Sequence, residues 1–275
     1  MKQAFLILFV LFINMTVLMA QYEIKDDAER SVFPWPEGKR CAVSLTFDDA
    51  RLSQIDLGIP LLNRYDVKAT FYISPEGLLE RLDGWRKAVA AGHEIGNHTM
   101  THPCTGNYAF SRDNALEEYD LDRIGVEMDD AGKFILEQLG VEAQSFAYPC
   151  GQKFVGRGTE VKSYVPLVAG RFLTGRGWLG EDANDPWQGD FSQLLGMESD
   201  GKSFEQLKIL IDKAAAEGRW LILAGHEMND AGHQTTLLSA LEALCDYAKN
   251  PSNGIWIDTV SEIATYIQKN RPSGK

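Results

Sequence analysis

The sequence predicts an α/β protein built as a single distorted (β/α)7-type barrel. Seven short β-rich runs alternate with helical patterns along 275 residues. Most of these runs are almost continuously apolar, as strands buried on both faces of a parallel sheet are. The polar residues capable of chemistry follow the runs, at the strand ends where barrel active sites assemble. Length alone allows about two domains of ~150 residues, but α/β barrels reach ~250 residues as one. No change of composition divides this chain.

Residues 1–20, MKQAFLILFVLFINMTVLMA, carry an early lysine, then an apolar stretch, then a small residue at Ala20. That order is the pattern of a secretory signal peptide. Residues 21–40 are polar and then rich in proline and tryptophan, a lead-in to the first strand. Strands are expected at 41–47, 68–74, 94–98, 145–148, 167–172, 220–224 and 255–257. Helices are expected at 53–64, 76–91, 112–139, 203–217, 235–249 and 260–269. Gly140 and Gly218 stand where C-terminal caps belong. The stretch 174–199, rich in glycine, aspartate and tryptophan, reads as a long rim loop. The barrel is therefore placed at 41–270.

Charge narrows the partners. Lys plus Arg number 27 and Asp plus Glu 39, a formal net charge of −12. Such a surface repels phosphates, which argues against nucleic acid. Beyond the leader no segment is long and apolar enough to span a bilayer, so no stable membrane insertion is expected after cleavage. Location is expected to be secreted, periplasmic or cell-envelope. Export permits disulfides among Cys41, Cys104, Cys150 and Cys245, although a chain this long can bury a core without them.

The strand ends carry the candidate chemistry. The first strand runs into Asp48 and Asp49, two adjacent carboxylates that are costly to hold together without a neutralising cation. The third leads to His98 and, four residues on, His102, able to converge on one cation if the intervening turn is helical. The fourth ends in Tyr148-Pro-Cys150-Gly, a turn that can aim a backbone N–H into a cleft. The sixth ends at His226. Asp49, His98 and His102 supply one oxygen and two nitrogen ligands and leave coordination positions open, as catalytic rather than structural metal sites do. With Asp48 as base and His226 as acid, that set describes hydrolysis of an amide or ester.

These motifs resemble those of the polysaccharide deacetylases, carbohydrate esterase family 4 with its NodB-homology domain. TFDD at 46–49 and HTMTH at 98–102 carry the resemblance, in order and spacing, and it extends over most of the mature chain. It implies a distorted barrel of fewer than eight units, Asp48 as base, His226 as general acid and a divalent metal on Asp49, His98 and His102. Zinc is the default for such ligands; cobalt, nickel and manganese also suit them. The family's third motif, R-x-P-[YF], departs here: Ala147 stands at its arginine and Cys150 at its aromatic. Arg171 is the candidate replacement for the missing arginine, and the Cys150 N–H retains the oxyanion role. The fourth motif is echoed by Asp182-Ala-Asn-Asp185-Pro-Trp187, so Asp182 or Asp185 is expected to orient His226, and Trp187 to wall the acetyl pocket. A Cys104–Cys150 bridge bracing the rim is one candidate pairing, with both as free thiols the other, and Cys41 and Cys245 are expected as buried thiols. Trp178 and Trp187 are candidates for stacking on sugar rings. His93, Glu94 and His233 receive no role.

The resulting expectation is a metal-dependent hydrolase that removes N-acetyl groups from an extracellular or cell-wall polysaccharide. An O-acetyl esterase acting on acetylated xylan-type polysaccharide is the nearest alternative, because one centre cleaves both bonds. A catalytically weakened carbohydrate-binding homologue is a third. A glycosidase would use paired carboxylates without the two histidines, and no G-x-S-x-G elbow points to a serine hydrolase.

Overall fold

Eight parallel strands form the main sheet of the computed structural model, which describes residues 32–272. The leader expected at 1–20, and the expected lead-in up to residue 31, lie outside the described residues. The strands are β1 (Cys41–Asp48), β2 (Thr70–Ile73), β3 (Glu94–Asn97), β4 (Ser145–Ala147), β5 (Thr174–Arg176), β6 (Met197–Glu198), β7 (Trp220–Gly225) and β8 (Ile255–Ile257). Their order is β5-β4-β3-β2-β1-β7-β6, with β8 beside the start of β1. Leu194 links the two edges: its N–H donates to Gly175 O at 2.8 Å, and its carbonyl accepts from Gly177 N at 2.8 Å, just before β6. The sheet curls accordingly, and the distorted (β/α)7 expectation is borne out.

β1 is the centre of the sheet because every residue of CAVSLTFD can be buried. It pairs with β2, β7 and β8, so its ends determine where the chemistry sits. Helices cover the sheet: α1 (Ile59–Arg64), α2 (Pro75–Glu80), α3 (Leu82–Ala90), α4 (Leu121–Leu139), α5 (Val165–Ala169), α6 (Phe204–Glu217), α7 (Leu238–Lys249) and α8 (Val260–Asn270). In α4 the buried residues Ile124, Met128, Ala131, Ile135 and Leu139 recur every three or four positions, a single core-facing stripe. Asp120 caps its start through Arg123 N, and Gly140, at φ 72°, closes it in the left-handed conformation. Ser203 and Gln206 form a capping box on α6.

Four expected elements differ. The helix expected at 112–139 begins only at Leu121, because Tyr119 and Asp120 are extended and short 3-10 turns precede them. The helix expected at 76–91 is two helices, broken at Arg81 (φ −133°, ψ 35°). Of the segment expected as a helix at 235–249, Thr235–Leu237 is a short strand paired with Glu227–Asn229. Most consequential, residues 167–172 are not a strand. Pro166 opens the short helix α5 there, and the strand lies later, at Thr174–Arg176, inside the expected rim loop.

His93 is a structural residue, 4% exposed. Its Nδ1 accepts from Ala69 N (3.2 Å), which leaves Nε2–H to donate to Asn63 Oδ1 (3.2 Å). A proton added at Nδ1 would break the first bond. Burial, aided by Lys68, lowers its pKa from 6.5 to about 4. The unfolded chain therefore binds the proton more readily, and the stability that neutral His93 contributes is full above pH 6.5 and lost as pH falls through about 4. The gap corresponds to roughly 3 kcal/mol. Denaturant titrations from pH 7 to 4 are expected to show a shallower loss in His93→Gln than in the wild type; parallel curves would contradict this.

Candidate active site

Strand ends β1, β3, β4, β5 and β7 surround one open cavity of about 910 Å3. Backbone strain is concentrated there. Of the nine non-glycine residues with positive φ among the described residues, six line this cavity: Asp49, Ala50, His102, Cys150, Leu179 and Gln234. Such conformations cost about 1–3 kcal/mol each and persist where the surroundings enforce them.

Successive side chains of an extended strand point to opposite faces, yet Asp48 and Asp49 face the same histidine. The turn of the backbone at Asp49 (φ 73°) and Ala50 (φ 55°) accounts for it. His98 Nε2 lies 3.9 Å from Asp48 Oδ2 and 3.5 Å from Asp49 Oδ1. Asp48 is nearly buried, and its Oδ1 is held by Arg176, which is 0% exposed, on β5. Arg176 also donates to Gly177 O (2.9 Å) and lies over the Tyr72 ring (4.9 Å). Burial alone would lower the guanidinium pKa, but Asp48 and Tyr72 outweigh it and the pKa is raised.

His98 donates through Nδ1 to Ala147 O (2.9 Å), which turns its Nε2 toward Asp49. His102 follows a bent turn rather than a helical one: Thr99 (φ 65°) and His102 (φ 51°) are left-handed, and Thr99 Oγ1 accepts from His102 N (3.1 Å). Its Nε2 lies 3.6 Å from Asp49 Oδ1. Burial, with His98 beside it, lowers the His102 pKa to about 4, keeping the imidazole neutral as a ligand must be. Burial would raise the Asp49 pKa, but His98, His102, His226 and Arg51 together lower it.

These residues fit a divalent cation. The three donor atoms lie within 4.8 Å of one another. Two ligands held at ~2.1 Å in a tetrahedral arrangement stand about 3.4 Å apart, close to the 3.5 and 3.6 Å found. Neutral imidazoles would turn lone pairs toward the carboxylate at that distance, an arrangement that a cation between them would stabilise. Asp49 Oδ2 is already taken by Arg51 (2.9 Å), which turns Oδ1 to the imidazoles.

His226 follows β7 and stands under Trp178, ring centroids 4.9 Å apart. Its Nδ1 meets Asp200 Oδ2 at 2.8 Å, and Asp200 Oδ1 accepts from His226 N (3.2 Å) and Thr236 Oγ1 (2.9 Å). Gly225 makes this approach possible, since a Cβ there would lie 2.7 Å from Asp200 Oδ1 and 2.2 Å from Thr236 Oγ1. Burial would lower the His226 pKa, but the Asp200 hydrogen bond and the charges of Asp48, Asp49 and Asp200 raise it on balance. Gln54, fully buried, donates from Nε2 to Asp48 O (2.7 Å) and His226 O (2.8 Å), tying the ends of β1 and β7 together.

The structure therefore brings together Asp48, Asp49, His98, His102, Tyr148, Cys150 and His226 on one cavity wall. Four expected placements are corrected. Arg171 is at the surface, forked onto Asp129 at 2.8 and 3.0 Å; Arg176 takes Asp48 instead, paired in register with Ala147 on the next strand. Asp182 binds Lys213 and Arg219, and Asp185 accepts from Trp187 N and Gln188 N, so neither orients His226; Asp200 does. Trp187 is not on the cavity wall, whereas Trp178 is. Cys104 and Cys150 are joined, Cα–Cα 6.0 Å, and Cys41 and Cys245 are buried thiols raised to about 12 by burial. His233 is exposed, and Glu94 accepts from Thr70 Oγ1 and Ser261 N.

The bridge ties the His102 loop to the Cys150 turn and closes a loop of sequence separation 46. Loop-closure entropy assigns such a bridge roughly 4 kcal/mol at most. The Cys104→Ser/Cys150→Ser pair is expected to lower unfolding stability by a few kcal/mol, read by denaturant titration. A peptide map without reduction is expected to recover both cysteines in one linked species.

Carboxylates and imidazoles thus converge on the C-terminal rim of a parallel α/β barrel, the face where barrel active sites assemble. Residues 36–162 match the family model described as polysaccharide deacetylase. The resemblance read from the motifs is thus borne out. A gellan lyase of Bacillus sp. is 26% identical over 265 residues, 88% of this chain but 10% of its own length. A chitooligosaccharide deacetylase of Sinorhizobium fredii is 40% identical over 63 residues, 22% of this chain and 29% of its own. The chain thus spans less than a third of the length of these curated relatives. The crystal structure of a candidate polysaccharide deacetylase from Mycobacterium smegmatis shares the fold at TM-score 0.65 and 17% identity, over 88% of this chain and 96% of that one.

Proposed function

We propose that this protein is a metal-dependent hydrolase that removes N-acetyl groups from an extracellular or cell-wall polysaccharide. The observation that carries the reading is the convergence, on one cavity, of the Asp49–His98–His102 donor set with Asp48 on one side and His226 on the other. Asp49, His98 and His102 would hold a divalent cation, zinc by default, which would supply Lewis-acid polarisation of the acetyl carbonyl and of a water. Asp48, fixed by Arg176, takes the proton of the attacking water. The Cys150 N–H, on a left-handed turn (φ 53°), faces the developing oxyanion. His226, its Nδ1 held by Asp200, gives the proton from Nε2 to the leaving nitrogen. Trp178 keeps that imidazole packed from above.

The chitooligosaccharide deacetylase among the relatives supports the N-acetyl reading, and the rim disulfide suits an exported protein. Residues 41–270 are assigned as the catalytic barrel, preceded by the leader at 1–20.

Acetate release from N-acetylglucosamine oligomers, peptidoglycan fragments and acetylated xylan tests the bond and the glycan together. The reading expects the N-acetylated members to be preferred by at least about tenfold in kcat/KM, a difference of ~1.4 kcal/mol. Preference for acetylated xylan would transfer the same residues to an O-acetyl esterase.

A further inference from the structure

The loop that follows the metal-ligand motif presents two aromatic rings at the mouth of the catalytic cavity, and no step proposed above uses them. Tyr108 and Phe110 stack with centroids 5.5 Å apart and planes 8° from parallel. Both line the cavity that holds Asp49 and His102. They nonetheless remain 46% and 71% exposed, an unfavourable place for large apolar rings unless something covers them.

The loop beneath them is braced. Ser111 Oγ accepts from Cys104 N (2.9 Å) and donates to Cys104 O (2.9 Å). Cys104 is itself joined to Cys150. Glu117 accepts from Thr105 Oγ1 and from Gly106 N (3.0 Å), and Gln152 Oε1 accepts from Thr105 N (2.7 Å). The rings are therefore presented on a base set by the same covalent link that shapes the oxyanion turn. A rigid aromatic face of this kind binds a flat apolar surface at little cost in conformational entropy.

We infer that Tyr108 and Phe110 form a stacking platform for a sugar ring of the glycan chain beyond the unit whose acetyl group reacts. The inference rests on the glycan reading above and deepens it: the substrate is an oligomer or polymer, and chain length contributes to binding. The C–H face of a pyranose supplies the flat apolar surface. The platform shares the cavity with the reacting centre, so one chain can occupy both.

The test compares the wild type with Tyr108→Ala/Phe110→Ala on the N-acetylglucosamine tetramer and on 4-nitrophenyl acetate, which is too small to reach both places. The double variant is expected to raise KM for the tetramer about tenfold, equivalent to ~1.4 kcal/mol, with kcat and ester hydrolysis unchanged. Phe110→Trp, which keeps an aromatic face, is expected to retain the wild-type KM. An unchanged KM for the tetramer overturns the platform, and so does an equal loss on tetramer and ester. If the wild type releases acetate from no glycan, the glycan-deacetylase reading itself fails. Titration calorimetry with the tetramer then decides the platform: weaker binding by the double variant supports it, and equal or absent binding in both proteins overturns it.

Discussion

Arg176→Met is expected to lower kcat for deacetylation by about 10²–10⁴, the range that a positioned acid or base contributes. Arg176 is fully buried and holds Oδ1 of Asp48, the proposed base. Methionine would keep much of the bulk but leave a carboxylate, itself 4% exposed, without its cation. Removing one member of a buried pair costs ~3–5 kcal/mol, because the remaining charge stays desolvated. The variant is therefore expected to unfold at lower denaturant as well as to turn over slowly. Arg176→Lys, retaining the charge but not the planar fork, should recover stability more than rate. Arg171→Met loses its surface pair with Asp129 and a bond to Leu167 O and should keep kcat within about twofold. The reverse ranking, with Arg171 critical and Arg176 dispensable, would contradict the assignment of the supporting arginine.

Asp200→Asn is the second large effect. Asp200 holds Nδ1–H of His226 at 2.8 Å and so leaves Nε2 to face the cavity. An asparagine of the same shape can offer its N–H₂ at that place, favouring the wrong imidazole tautomer and removing the charge that stabilises the protonated ring. A fall of about 10²–10⁴ in kcat is expected with little change in metal content. Asp182→Asn loses partly exposed pairs with Lys213 and Arg219 and is expected to cost at most about 1 kcal/mol of stability, with kcat unchanged. Metal content by elemental analysis and steady-state kinetics on all three proteins separate these outcomes.

The parts of this account legible in the sequence are those encoded contiguously. CAVSLTF is apolar throughout because β1 is covered on both sides, and the run leads directly into Asp48 and Asp49. The two imidazoles share one short turn, so HTMTH identifies both even though that turn is left-handed rather than helical. Residues supplied from other strands and loops were not legible in the same way. Arg176 reaches Asp48 from a three-residue strand, Thr-Gly-Arg, with neither length nor apolar alternation to announce it. A strand expected at 167–172 ends near Arg171, whereas the strand that reaches Asp48 ends at Arg176. Asp200 lies in a polar loop 26 residues before His226, and its approach depends on the absence of a Cβ at Gly225. The echoed motif at 182–187 carries aspartates that bind Lys213, Arg219 and backbone N–H groups instead. Gln54 gave no signal, since its role lies in two backbone carbonyls brought together only by the sheet.

The most direct test of the central claim is acetate release from N-acetylglucosamine oligomers by metal-stripped and metal-restored protein, beside Asp48→Asn and His98→Ala. The account predicts that stripping abolishes release and that a divalent cation restores it. Asp48→Asn should keep the metal but lose at least about a thousandfold in kcat, and His98→Ala should lose both metal and activity. Undiminished release after the metal has been removed, or from Asp48→Asn, would contradict the account.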